Sequence, residues 1–161
     1  MKIYAGRGMV GGVGTGPALI TGTPINFTAA LTKPLNMLIK DMMFDRHHEL
    51  FHKRIHGRIL VFPACIGSTH TGLVLLELSV RELAPAAMIV KYPDPLLVSG
   101  AILGEVWYAT GIPLVAYSGD DLFSEIRTGD RLRVDGTTGE IKTATPDFPC
   151  GNKEGTDILR C

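Results

Sequence analysis

The chain has 161 residues, 45% of them hydrophobic, and its 16 Lys and Arg are balanced by 16 Asp and Glu. That is enough for one domain with a buried core and argues against a disordered body, while zero net charge supplies no basic field for nucleic acid or an anionic membrane. No apolar run nears the roughly 20 residues that span a bilayer, the start lacks a signal peptide's apolar stretch, and Cys65, Cys150 and Cys161 form no CxxC pair, so a cytoplasmic protein without a disulfide framework is expected.

Residues 6–16 are glycine-rich, but no Walker lysine and no helical pattern follow. The glycines are therefore expected in tight turns and bends between strands, and residues 17–21 read as a short strand. Residues 24–57 are irregular, broken by Pro24, Pro34 and Asn36, and form a long connection with one or two helical turns. Residues 58–63 read as a strand ending at Pro63, and residues 67–72 as a polar turn. Residues 73–83 are long and apolar enough for a largely buried helix. A strand over 85–90, a helix over 96–108 with Gly100 and Gly104 allowing close packing, and a strand over 113–117 follow. Residues 120–126 make a short helix with an acidic first turn, which suits the helix dipole. Residues 128–141 make a hairpin in which Leu132 and Val134 alternate with charges and Asp135-Gly136 and Thr138-Gly139 turn the chain. The expected organisation is one mixed α/β domain over 1–143, with a β-barrel-like or sandwich core, and a tail over 144–161.

Two stretches carry residues that could do chemistry. The turn Gly67-Ser68-Thr69-His70-Thr71-Gly72 joins a strand to a helix start, where unpaired N–H groups and a partial positive charge stabilise an anion or a serine alkoxide. Residue types alone favour a plainer reading, in which Ser68, Thr69 or Thr71 caps the helix. His48, His52 and His56 lie four apart, so a helix would align them for zinc. Gly57 and the neighbouring Arg46, Lys53, Arg54 and Arg58 argue instead for an ordinary basic patch, and no metal site is expected.

Residues 57–78, GRILVFPACIGSTHTGLVLLEL, resemble the aconitase X swivel domain, in which a strand ending in proline leads to a Gly-Ser turn and an apolar helix. Further blocks agree in order: Gly6-Arg7 with 12–21, residues 84–90 with the small-residue stretch at 99–103, Ile112-Pro113-Leu114-Val115, Thr128-Gly129-Asp130 and Val134-Asp135-Gly136. The resemblance covers roughly residues 5–142, by motif order. It implies a swivelling β/β/α domain that is the small subunit of an iron–sulfur hydro-lyase, inactive alone, whose cluster sits on a large partner subunit. The three cysteines here fall short of the four thiolates of a usual cluster. The serine base that removes a proton next to a carboxylate maps onto Ser68, with Gly67, Thr69, His70 and Thr71 around the substrate. Arg7, Lys33 and Arg46 are candidates for binding a substrate carboxylate. Substrates in the family include cis-3-hydroxy-L-proline and mevalonate 5-phosphate. The chain departs from the family at 26–34, where a Phe-Trp-Gly-Gly-like loop is usual, and at Gly72, where a second serine is usual. Two alternatives share the architecture. Ser68-Thr69-His70 with the late Gly-Asp and Val-Asp-Gly hairpin also resembles phosphohistidine domains, with His70 as phosphate carrier, and a non-catalytic binding domain could keep the same fold.

Overall fold

The computed structural model describes residues 1–31, 41–67 and 69–143. Lys33, Ser68, Cys150, Cys161 and the stretch expected as a tail lie outside the described residues. The elements in order are β1 (Ile3–Ala5), β2 (Arg7–Val10), β3 (Val13–Ile20), α1 (Phe27–Leu31), β4 (Ile59–Ala64), α2 (Thr71–Val80), β5 (Ala87–Tyr92), α3 (Pro95–Tyr108), β6 (Leu114–Ala116), α4 (Asp121–Glu125), β7 (Arg131–Asp135) and β8 (Glu140–Thr143). The strands form one sheet in the order β1-β8-β7-β3-β4-β5-β6-β2. β3, β4, β5 and β6 run parallel. β2 is antiparallel to β6 at one edge, and β7, β8 and β1 continue antiparallel beyond β3 at the other.

β1 and β2 lie at opposite edges of this sheet, yet only Gly6 separates them in sequence. The sheet must therefore curl until its edges meet, which is the barrel-like core expected from the sequence. Gly6 sits at the seam. Its N–H donates to Gly139 O at 2.9 Å, and a β-carbon there would stand 2.6 Å from Val115 Cγ1 and 2.7 Å from Ala116 O. Only glycine lets the chain change partner strand in that space.

The curled sheet has two apolar faces. Tyr4, Ile59, Val61, Ile89, Val115, Leu132, Val134 and Ile141 fill the inside. Leu60, Phe62, Met88, Val90 and Leu114 face outward, under Val74, Leu75 and Leu78 of α2 and Leu97 and Ala101 of α3. β4 and β5 are buried on both faces, so they read as continuous hydrophobic runs, whereas β7 alternates. Each large side chain sealed in this way contributes about 1.5–3 kcal/mol against exposure. α2 and α3 meet where two glycines face each other: a β-carbon on Gly100 would lie 2.5 Å from Gly72 Cα, and one on Gly72 would lie 2.8 Å from Leu96 O.

Three expectations change. The glycine-rich stretch is largely strand, since β2 and β3 occupy it and only Gly11 and Gly12 turn the chain, Gly12 at φ 102°. The glycines within β3 are there because other backbone crosses close by; a β-carbon on Gly14 would overlap Ala86 O. The helix expected at 73–83 runs over Thr71–Val80, and it is not buried all round: Leu73 and Val80 are 61% and 47% exposed. Strand and helix ends elsewhere move by a few residues, as with β5 at Ala87–Tyr92 and α4 at Asp121–Glu125.

Candidate functional site

β4 ends at Ala64, and the chain turns through residues 65–70 into α2. This turn is fastened from outside. Ile25 N–H donates to Ala64 O at 2.9 Å and Ile66 N–H donates to Ile25 O at 3.0 Å, so the segment before α1 prolongs the parallel pairing past the end of β3. Asn26 then does two things. Its Oδ1 accepts from Ala29 N–H at 3.0 Å, capping α1, and its amide lies directly against Gly67, where a β-carbon would overlap it. Gly67 adopts φ 101°, a conformation that strains other residues. Sequence reasoning passed over Asn26, although an Asn directly before a short helix is a legible cap signal.

Gly67, Thr69 and His70 are exposed and Thr71 is buried. His70 occupies the N-cap position with helical φ and ψ and makes no side-chain cap bond. Thr69 makes no hydrogen bond among the described residues, so it is not the cap that residue types suggested. The first-turn N–H groups of Gly72 and Leu73 have no acceptor among the described residues, as is usual at a helix start. Exposed apolar side chains lie on the elements flanking this polar turn: Ile66 and Leu73 beside it, Tyr92 at the end of β5 and Leu96 at the start of α3. The sequence does not single out this rim, because a lone exposed apolar residue carries no signal; only their meeting at one edge does.

The carboxyl ends of the parallel strands β4, β5 and β6 share that edge. Hydrogen-bonded registry carries the row Phe62–Val90–Ala116 across to Arg7 at the start of β2. Arg7 therefore lies on the same edge as the turn, three strands away. Arg46 does not join them on the sheet; it is exposed in the turns of the 41–57 segment. Lys33 and Ser68 are outside the described residues.

The histidine-rich segment takes a different form from the expected helix face. Residues 41–57 run through turns closed by a bridge between Met42 and Arg54. His48 is buried; its Nδ1 accepts from Leu50 N–H at 3.1 Å and its Nε2 lies 3.3 Å from Thr23 O, so both ring nitrogens have a partner within the chain. His52 is exposed at φ 61° and stacks on Phe51 with ring centroids 3.8 Å apart, and His56 is exposed. The neighbouring Glu49 grips the loop after β3: it accepts from the Thr21 hydroxyl, from Gly22 N–H at 2.9 Å and from Thr23 N–H at 3.2 Å. These donors, the Thr21 hydroxyl first, hold the Glu49 carboxyl below its ordinary range against the opposing effect of burial.

Among the described residues no group of three or more His, Cys, Asp or Glu converges in a way that could hold a metal ion. Cys65, at the end of β4, is a free thiol pushed up to about 12, mainly by burial and then by the negative charge of Asp94. A thiol held protonated in this way is a poor metal ligand, so the described residues do not fit an iron–sulfur cluster. Among the described residues, no helix is long and apolar enough to cross a membrane.

Comparison with known proteins agrees with this architecture. The family model for the aconitase X swivel domain matches residues 3–143. A phosphomevalonate dehydratase small subunit from Methanocella arvoryzae is 34% identical over 85% of this chain and 96% of its own length. The protein of the same name from Methanocaldococcus jannaschii is 34% identical over 85% of this chain and 94% of its own. The crystal structure of Thermococcus kodakaraensis aconitase X in its holo-form superposes with a TM-score of 0.77 at 29% identity, covering 90% of this chain and 100% of that one.

Proposed function

The chain belongs to the aconitase X swivel domain family, and on that premise we propose that it is the small subunit of a two-subunit hydro-lyase that dehydrates a phosphorylated 3-hydroxy acid of the mevalonate 5-phosphate kind. The relatives named phosphomevalonate dehydratase small subunit support the substrate, since the chain spans nearly their whole length. The observation that carries the reading on this chain is the turn after β4. It is exposed, held from behind by Asn26 and Ile25, placed at the start of a helix buried on one face and rimmed by Ile66, Leu73, Tyr92 and Leu96. A polar turn surrounded by uncovered apolar side chains fits a half-site completed by a partner. The large subunit covers this rim and holds the iron–sulfur cluster, for which the described residues here are unsuited.

Ser68 is the base in this reading. A neutral serine is a weak base, and the N–H groups of Gly72 and Leu73 at the helix start, which have no acceptor among the described residues, lower the cost of negative charge at this turn. Gly67 leaves room for the Asn26 amide that holds the turn from behind, and Thr69 and His70 are exposed to contact substrate. Docking of the swivel domain on its partner excludes water from the site.

The test is Ser68→Ala in the reconstituted complex. A lost general base lowers turnover by roughly 10²- to 10⁴-fold and leaves assembly and thermal stability intact. A lost helix cap costs about 1 kcal/mol of stability with near-normal turnover. Near-normal turnover in this variant removes the catalytic role from Ser68.

A further inference from the structure

We propose that the cavity at the barrel seam is an anion subsite in which Arg7 binds the phosphoryl end of the substrate and sets specificity for phosphorylated hydroxy acids. The identity of that substrate rests on the dehydratase reading above; the site itself rests on the geometry that follows.

The chain leaves β8 and joins β6 at Gly6, and the strands cannot close fully where it changes partner. A half-open cavity of about 320 Å³ results, lined by Gly6, Arg7, Tyr117, Ser118 and Gly119. Its acidic neighbours are already engaged. The Tyr117 hydroxyl donates to Asp121 Oδ1 at 2.7 Å, Asp120 pairs with Lys91, and Glu125 pairs with Lys2 and accepts from the Tyr4 hydroxyl at 2.7 Å. Arg7 is different. It is exposed and makes no side-chain hydrogen bond or ion pair among the described residues. The N–H groups of Ser118 and Gly119 likewise have no acceptor among the described residues, and the Ser118 hydroxyl adds a further donor. A guanidinium with a fixed fork of donors, beside backbone N–H groups and a hydroxyl, suits a phosphoryl group, which can accept from all of them.

Placement relative to the turn supports the same assignment. Arg7 and Phe62 stand in one row across the sheet, separated by three strand spacings. At strand spacing that gap is about 14 Å, and the long arginine side chain closes part of it. Mevalonate 5-phosphate carries its carboxylate and its phosphate at opposite ends of the carbon chain. With its carboxylate at the turn after β4, such a substrate can extend its phosphate along the carboxyl ends of β5 and β6, toward the seam.

Two measurements test this. In the reconstituted complex, Arg7→Ala is expected to raise KM for mevalonate 5-phosphate roughly 10- to 100-fold with kcat changed little, and Arg7→Lys to fall between, since it keeps the charge without the fork. Turnover of unphosphorylated mevalonate, which lacks the group that Arg7 holds, is expected to change less than that of the phosphorylated acid in both variants. An unchanged KM for the phosphorylated acid, an equal effect on both acids, or loss of subunit association in Arg7→Ala overturns the proposal. Separately, the full chain titrated with inorganic phosphate is expected to show amide shifts at Gly6, Ser118 and Gly119 that vanish in Arg7→Ala; their absence in the unsubstituted chain overturns the subsite. Shifts that depend on Arg7, together with a complex that dehydrates no phosphorylated acid, support the subsite and instead remove the dehydratase reading.

Discussion

The turn after β4 and the histidine-rich segment 41–57 are both polar, both sit beside the sheet, and both carry residue types associated with chemistry. In the histidine-rich segment, His48 and Glu49 spend their hydrogen bonds on Thr21, Gly22, Thr23 and Leu50. In the turn, Thr69 makes no hydrogen bond among the described residues, and the polarity faces outward between exposed Ile66, Leu73, Tyr92 and Leu96. A polar group satisfied within its own chain fastens structure, whereas one presented outward inside an apolar rim awaits a partner or a ligand.

Substitutions that exchange the properties of the two regions should break this contrast in a graded way. The largest effect is expected from Gly67→Val. The side chain must displace Asn26 and adopt φ 101°, which disfavours β-branched residues strongly. Turnover of the complex should fall far more than the melting temperature of the isolated chain, because displacing Asn26 shifts the turn that carries the proposed base. A proportionate loss of both would make Gly67 an ordinary structural glycine.

Glu49→Gln should act in the opposite sense. Loss of the charged acceptor at Thr21, Gly22 and Thr23 is expected to cost about 1 kcal/mol, which lowers the melting temperature by about 2–4 °C for a domain of this size, with turnover near normal. A change in turnover without a change in melting temperature would move the 41–57 segment into the site.

The same latch gives a pH dependence of defined sign. The Glu49 carboxyl is held below its ordinary 4.5 in the folded chain. Its contribution is therefore complete above 4.5 and is lost as pH falls through the lower folded-state value. Urea unfolding midpoints should drop over that acid window more steeply for the unsubstituted chain than for Glu49→Gln, and parallel curves would show that the latch does not contribute.

The smallest effect is expected from His52→Ala. The imidazole is exposed and stacks on Phe51, itself partly exposed, so stability should stay within about 0.5 kcal/mol. Added zinc should leave the unfolding of both proteins unchanged; zinc-dependent stabilisation lost in the variant would restore the three-histidine reading.

The sequence alone determined the sequence of elements: period-2 alternation in β7, doubly buried runs in β4 and β5, and the two helices that follow them, because periodicity and run length record burial directly. It also determined the family, because the turn and helix at 57–78 are local and contiguous. Tertiary structure decided what depends on residues far apart in the chain. Gly6 became a seam only because β1 pairs with β8 and β2 with β6, at the two edges of one sheet. His48, His52 and His56 are evenly spaced, but even spacing aligns side chains only on a helix, and the bridge from Met42 to Arg54 imposes turns instead. Arg7 reached the edge that carries the turn after β4 through three successive strand pairings, each made with residues far from it in sequence. An edge assembled by registry leaves no mark in local spacing, whereas a core strand does.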